Sequence, residues 1–328
     1  MTGSPGGGEA RLSGRLQCLL HRAEQTGRLD ALEELHAEAV ADPEVSPHVS
    51  LFVECCLEGL RSRSRPVGDS VAVWDALRER AERRLGPADT TLMSIRSFQV
   101  QYTRRRGRPA DLDAGVALYR EEWELRREHL GEDDYRTRVT RANLGLAIRD
   151  RARPGDLDEA LKILESEAGD RLARYSGTHP FTWDVQTVLA QTRVRAAEAV
   201  GDPGERRRHA TRGLELARQV AGQRRRRFGW ADAATLRAQL VAAHALLLLG
   251  RAAEAVPEIR HVRTAARVRQ VALDPGWPES LLAAGLAALG DEAALAMAER
   301  ALRLRESHYP RGSRQVTEAR ALVRSLRG

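Results

Sequence analysis

The sequence predicts an all-α solenoid, a curved stack of helical hairpins, on three observations. A phrase made of a helix end, Leu-Gly or a variant of it, a polar turn and a new helix recurs along the chain. It reads Leu85-Gly86-Pro87-Ala88-Asp89-Thr90, Leu130-Gly131-Glu132-Asp133-Asp134-Tyr135, Tyr175-Ser176-Gly177-Thr178-His179-Pro180 and Phe228-Gly229-Trp230-Ala231-Asp232-Ala233. Its glycines Gly86, Gly131, Gly177 and Gly229 are separated by 45, 46 and 52 residues, with weaker echoes near Pro43 and Gly276. A hairpin of two amphipathic helices cannot bury its apolar faces alone, so a period of this length means that each unit leans on the next. Second, apolar residues keep helical spacing along the chain, and no segment alternates with the period of a strand. Third, aromatics make up 4% of the 328 residues against 42% hydrophobic residues overall, so Ala and Leu carry the core, which suits close helix packing.

Taken in order, residues 1–8 are Gly, Ser and Pro without the charged and apolar regions of a secretory signal, and are expected to be a disordered leader. Two helices, about 9–25 and 29–41, are expected to cap the N-terminal end over residues 9–42, the second stopping before Asp42-Pro43. About six hairpins fill residues 43–310, each a first helix A and a second helix B. The expected pairs are about 47–62 with 69–84, 90–105 with 111–129, 136–151 with 156–174, 181–200 with 204–226, 232–249 with 252–270, and 278–288 with 291–307. Breaks fall where Gly and Pro demand them, as at Arg65-Pro66-Val67-Gly68, Arg153-Pro154-Gly155 and Gly201-Asp202-Pro203-Gly204. A last helix, about 312–326, is expected to cap the C-terminal end over residues 311–328.

Lys and Arg number 53 against 46 for Asp and Glu, and Lys162 is the only lysine. So one-sided a choice of Arg reads as the codon bias of a GC-rich bacterial genome; the net charge of +7 still favours acidic partners. Cys18, Cys55 and Cys56 have no metal spacing, and adjacent cysteines rarely bridge, so a reduced, cytoplasmic setting is expected. No stretch reaches the roughly 20 apolar residues of a membrane span.

The third unit, Thr137 to Asp150 followed by Gly155-Asp156-Leu157-Asp158-Glu159-Ala160-Leu161, resembles a tetratricopeptide repeat of the kinesin-light-chain type, as found in actinobacterial proteins. The likeness recurs in Asp113 to Leu118, Leu125 to Gly131, Gly250 to Ala255 and Ala301 to Arg305. It implies a right-handed superhelical solenoid that binds peptides on the concave face of the A helices. A small residue on each A helix lets helix B come close, and Gly145, Ala190, Ala243 and Ala283 fall there. Gln99 departs from that pattern, and Asn143 is expected to bond structurally to a neighbouring turn.

No His-Glu-x-x-His, Cys-His cluster, phosphate loop or nucleophile elbow is present, and Glu33, Glu34, His36 and Glu38 fit a solvated helix face, so no metal, cofactor or catalytic residue is assigned. If the family geometry carries over, Arg96 and Val100, Ala142 and Leu146, Thr187 and Gln191, and Leu240 and His244 point inward, with Arg149 and Arg195 one turn further. The groove then has an apolar floor of Val100, Leu146 and Leu240 ringed by Arg96, Arg149 and Arg195. It suits an acidic protein segment with apolar anchors. With equal weight, these arginines pair with carboxylates of neighbouring helices. The expected function is a non-catalytic, regulatory protein- or peptide-binding scaffold. One alternative is nucleic-acid binding by the runs 104–106, 206–208 and 224–227 beside Tyr102 and Phe228; the other is an enzyme or small-molecule binder using the groove as a pocket.

Overall fold

A computed structural model of the chain describes residues 7–26, 28–63 and 65–327. Among these residues it forms fifteen helices and no strand. They are α1 (Gly7–Thr26), α2 (Asp30–Ala41), α3 (Pro47–Arg61), α4 (Val67–Glu82), α5 (Thr90–Arg106), α6 (Pro109–Leu130), α7 (Tyr135–Arg151), α8 (Asp156–Tyr175), α9 (Pro180–Ala199), α10 (Pro203–Phe228), α11 (Ala233–Leu248), α12 (Ala252–Val268), α13 (Trp277–Ala288), α14 (Ala293–His308) and α15 (Arg314–Arg327). The leader expected over residues 1–8 falls outside the described residues as far as residue 6, and helix begins at Gly7 rather than beyond it.

The recurring phrase works as a paired stop and start signal. Its Asp caps the next A helix: Asp89 accepts from the backbone N–H of Thr91 and Leu92, Asp134 from Arg136, and Asp232 from Thr235. Its Gly ends the B helix at a φ that only glycine adopts freely, +85° at Gly131 and +88° at Gly229. In the third turn the equivalent residue is Ser176, at φ 73° and ψ 165°, and not Gly177 with which the spacing had aligned it. A second marker confirms the register. A buried arginine sits five residues before each of these caps and clamps the A helices beside it. Arg126 donates to the carbonyl of Met93 at 2.7 Å and of Arg136 at 3.4 Å; Arg171 donates to the carbonyls of Phe181 at 2.9 Å and Arg138 at 3.3 Å; Arg224 pairs with Asp184 at 3.0 Å.

From α4 onward each helix packs on its neighbour in sequence, and most odd-numbered helices also pack on the next odd one: α3 with α5, α7 with α9, α9 with α11, α11 with α13 and α13 with α15. The odd, or A, helices therefore form the inner layer of a curved stack. The small-residue positions lie at the A–B contacts: Ala190, Ala243 and Ala283 are buried, and a Cβ placed on Gly145 would meet Leu164 at 3.1 Å and Ile163 at 3.2 Å. Gln99, the departure, is buried too and donates to Asp75 at 2.9 Å. Asn143 makes no side-chain hydrogen bond among the described residues, so its expected tie to a turn is not formed.

The stack curves far enough for its last helix to meet its first hairpins. Tyr309 and Val316 share a buried apolar cluster with Trp74, Leu92, Ile95 and Tyr102. Trp74 is stacked on Phe98 at 4.7 Å within it and donates to Ser62 at 3.1 Å. The Arg314 backbone N–H donates to the carbonyl of Gly107 at 2.8 Å, and its guanidinium donates to the carbonyl of Asp150 at 2.9 Å. Thus α15 bridges the ends of α5 and α7 rather than simply ending the row.

Candidate functional site

The A-helix wall is held together by a chain of polar contacts near the C-terminal ends of α5, α7, α9 and α11. At its centre Asp150, buried on α7, accepts from Arg149 at 2.7 and 3.0 Å, from Arg314 at 3.3 Å and from Arg104 of α5. Burial alone would raise the pKa of this carboxyl, but the guanidiniums of Arg149, Arg314 and Arg104 hold it far below the ordinary carboxylate range. Arg149 feels the converse: burial, aided by Arg314 and Arg104 and opposed by Asp150, draws it down to about 10. Arg149 also donates to Gln191 of α9 at 2.9 Å, which ties two units together.

A second knot follows one hairpin on. Glu198 at the end of α9 accepts from Arg195 at 3.0 Å and lies 2.9 Å from His244 Nε2 of α11. Burial works against the Glu198 charge, yet the hydrogen bond and charge of His244, followed by Arg195, hold its pKa down to about 2. Arg195 also faces Glu318 of α15 at 3.4 Å. Despite burial, Glu318 and Glu198 hold Arg195 more firmly protonated than an ordinary arginine. Glu318 lies within 3.6 Å of Arg305 and Arg314 as well, so one carboxylate of the last helix sits among three guanidiniums.

The structure thus joins Arg149 to Gln191, and Arg195 to His244 through Glu198, but other expected groove residues lie elsewhere. Val100 and Leu240 are 2% and 0% exposed and belong to the cores between helices, so they do not floor an open groove. Thr187 is buried and its hydroxyl donates to the carbonyl of Trp183 in its own helix. Ala142 is buried and Leu146 half-buried. Arg96 pairs with Glu82 of α4 at 3.0 Å, away from the two knots. The inward arginines are therefore engaged, each by a carboxylate of this chain.

Of the arginine runs, the first is structural: Arg104 pairs with Asp150, Arg105 lies over the Tyr102 ring, and Arg106 pairs with Asp111 at 2.7 Å. In the second, Arg206 donates to the carbonyl of Val200 and Arg208 pairs with Glu205. In the third, Arg224 is the buried clamp, whereas Arg225, Arg226 and Arg227 are exposed and make no ion pair among the described residues. Exposed rings cluster at the junctions between hairpins, Tyr135, Phe181, Phe228 and Trp230, of which sequence reading singled out only Phe228. Tyr135 and Phe181 lie 5.9 Å apart, and Trp183 and Phe228 6.1 Å apart. The signal was present, since Tyr135, Phe228 and Trp230 stand inside the recurring phrase and Phe181 directly follows it.

Among the described residues no group of His, Cys, Asp and Glu is arranged to hold a metal ion, and no helix is long and apolar enough to cross a membrane. Burial pushes the Cys56 thiol up to about 11 and the Cys55 thiol further, so neither is poised for thiolate chemistry.

No protein-family model matches the chain, and no curated protein matches it. Solved structures do. One is a crystal structure from Podosopora anserina described as a kinesin light chain with nearly identical TPR-like repeats; it is 18% identical, covers 66% of this chain and 96% of its own, and superposes with a TM-score of 0.47.

Proposed function

We propose that the chain is a non-catalytic protein-interaction scaffold whose A-helix wall holds an acidic segment with apolar anchors. The observation that carries this reading is the seat of α15. Glu318 lies among Arg195, Arg305 and Arg314, while Tyr309 and Val316 of the same segment are buried against the first hairpins. The wall thus has the chemistry to take a helix-borne carboxylate flanked by apolar side chains. Because α15 takes the C-terminal ends of α5 and α7, a partner uses the stretch with Arg96, Leu146 and Gln191. In this reading α1 and α2 cap one end of the stack and α15 the other, and the setting is cytoplasmic.

The test is capture and identification of the partner by the full chain, followed by titration of the acidic segment found. Arg96→Glu with Gln191→Glu is expected to weaken binding at least tenfold with helix content unchanged, because like charges then face each other. The outer triple change Arg206→Glu, Arg207→Glu and Arg208→Glu is expected to do little. The opposite pattern discards the inner wall.

A further inference from the structure

We propose that the edge formed by the end of α10, the turn after it and the end of α12 binds single-stranded nucleic acid. This site is separate from the inner wall and independent of the scaffold reading.

Two exposed rings stand two residues apart in that turn, Phe228 at 46% and Trp230 at 39% exposure. Each is flanked by cations: Arg227 lies 5.6 Å from the Phe228 centroid and Arg269 lies 5.5 Å from the Trp230 centroid. His261 of α12 lies beside Trp230 with ring centroids 5.9 Å apart and planes tilted by 45°. Around them Arg225, Arg226, Arg227, Arg260, Arg267 and Arg269 are exposed and have no carboxylate partner among the described residues. The inward arginines Arg96, Arg149 and Arg195 are each paired with a carboxylate, so six guanidiniums without one make this edge a local excess of charge. The rings near Tyr135 differ in this respect, because Asp134 pairs there with Arg136 at 3.0 Å and Asp133 with Arg174.

Beside the rings opens a slot of about 450 Å³ between α10 and α12, lined by Ala221, Ala242, Pro257, Gln239 and His261 and by Arg218 and Glu258, which pair with each other at 3.3 Å. Most of its surface is apolar, and the Oε1 of Gln239 is buried there without a hydrogen-bond partner. A flat ring bearing N–H donors would meet both needs. Free guanidiniums for phosphates, exposed rings for stacking and a slot with an orphan acceptor together describe a ligand that is anionic and aromatic at short intervals. Unpaired nucleotides have that form. A duplex hides its base faces, and an acidic peptide has charge without rings.

Fluorescence anisotropy of a labelled oligothymidylate of about twenty nucleotides, with the full chain at low salt, provides the test. Binding is expected, with log affinity falling linearly against log salt by about 0.7 per phosphate contacted. Trp230→Ala should weaken it roughly tenfold while Trp230→Phe keeps most of the affinity, since the ring does the stacking. An oligomer of the same length with abasic sugars should bind at least roughly tenfold more weakly than the intact strand. Arg225→Glu, Arg226→Glu and Arg227→Glu together should remove binding, whereas the equal charge change at Arg206, Arg207 and Arg208 of the same helix should not. No binding at low salt, equal affinity for the abasic strand, no effect of Trp230→Ala, or equal competition by polyglutamate would each overturn the proposal, the last in favour of an acidic protein. Circular dichroism accompanies every variant, and the abasic comparison uses unaltered protein.

Discussion

At the scale of single residues, the third turn carries a conflict that its relatives in the same chain avoid. Ser176 holds φ 73° and ψ 165°, the backbone that Gly131 and Gly229 hold at the matching caps. A Cβ in that region costs on the order of 1–3 kcal/mol, against which Ser176 gains a contact to the exposed Thr178 hydroxyl at 3.1 Å. Ser176→Gly is therefore expected to stabilise the chain by about 1 kcal/mol, and Gly131→Ser to destabilise it similarly. The denaturation midpoints should shift with unchanged slope, and a fixed midpoint for Ser176→Gly would mean that the cap is not strained. Glu198 gives a second prediction, in pH. Its folded pKa, about 2, lies below the ordinary glutamate value, so the stability that it adds is present above pH about 4.5 and lost as pH falls through about 2. Wild type should exceed Glu198→Gln in stability at neutral pH, and the gap should close over that interval. A gap independent of pH would place its origin in packing rather than charge.

At the scale of helices and hairpins, most of the architecture was legible because each repeat announces itself twice. The turn phrase marks where B stops and A starts, and the small residue on A marks where B approaches. Gly145→Leu tests the second mark directly. With Leu164 and Ile163 at 3.1–3.2 Å from the position of a Cβ, the larger side chain should cost about 1–3 kcal/mol, read as a lower melting midpoint. The clamp arginines Arg126, Arg171 and Arg224 were not legible, although they recur in register with the caps. An arginine at every turn is invisible in a chain that uses arginine nearly everywhere, and its role depends on reaching a carbonyl or carboxylate of another helix. The groove was legible only as a list of facing positions. Arg149 meets Gln191, and Arg195 meets His244 through Glu198, but Val100 and Leu240 turn into the cores, because an inward-facing helix still buries the flank that meets its neighbours.

At the scale of the whole molecule, the sequence carried no sign that the stack closes on itself. The contacts of Arg314 with Asp150 span 164 residues, and no local pattern encodes a pairing of that range. Asp150 is the keystone, since it binds arginines of α5, α7 and α15 at once. Asp150→Asn leaves three guanidiniums facing a neutral amide and should cost on the order of 3–5 kcal/mol. Hydrogen exchange should then show α15 and the ends of α5 and α7 opening before α9 to α12. Uniform loss of protection along the chain would instead mean that closure adds nothing to the local hairpins. Repeat proteins whose units touch only their neighbours lose structure unit by unit, so a closing contact also makes unfolding more cooperative.

The bridge by α15 has a mechanical consequence. Pulled at its ends, an open row of hairpins behaves as a soft spring and peels progressively, because each unit is anchored only by the one beside it. Here the buried side chains of Tyr309 and Val316 and the bonds of Arg314 to Gly107 and Asp150 lie across the load path. Tension reaches them together before the hairpins between α7 and α14 are stretched, so that part of the molecule should resist as a closed link and yield first in one rupture, and only then lengthen as a spring.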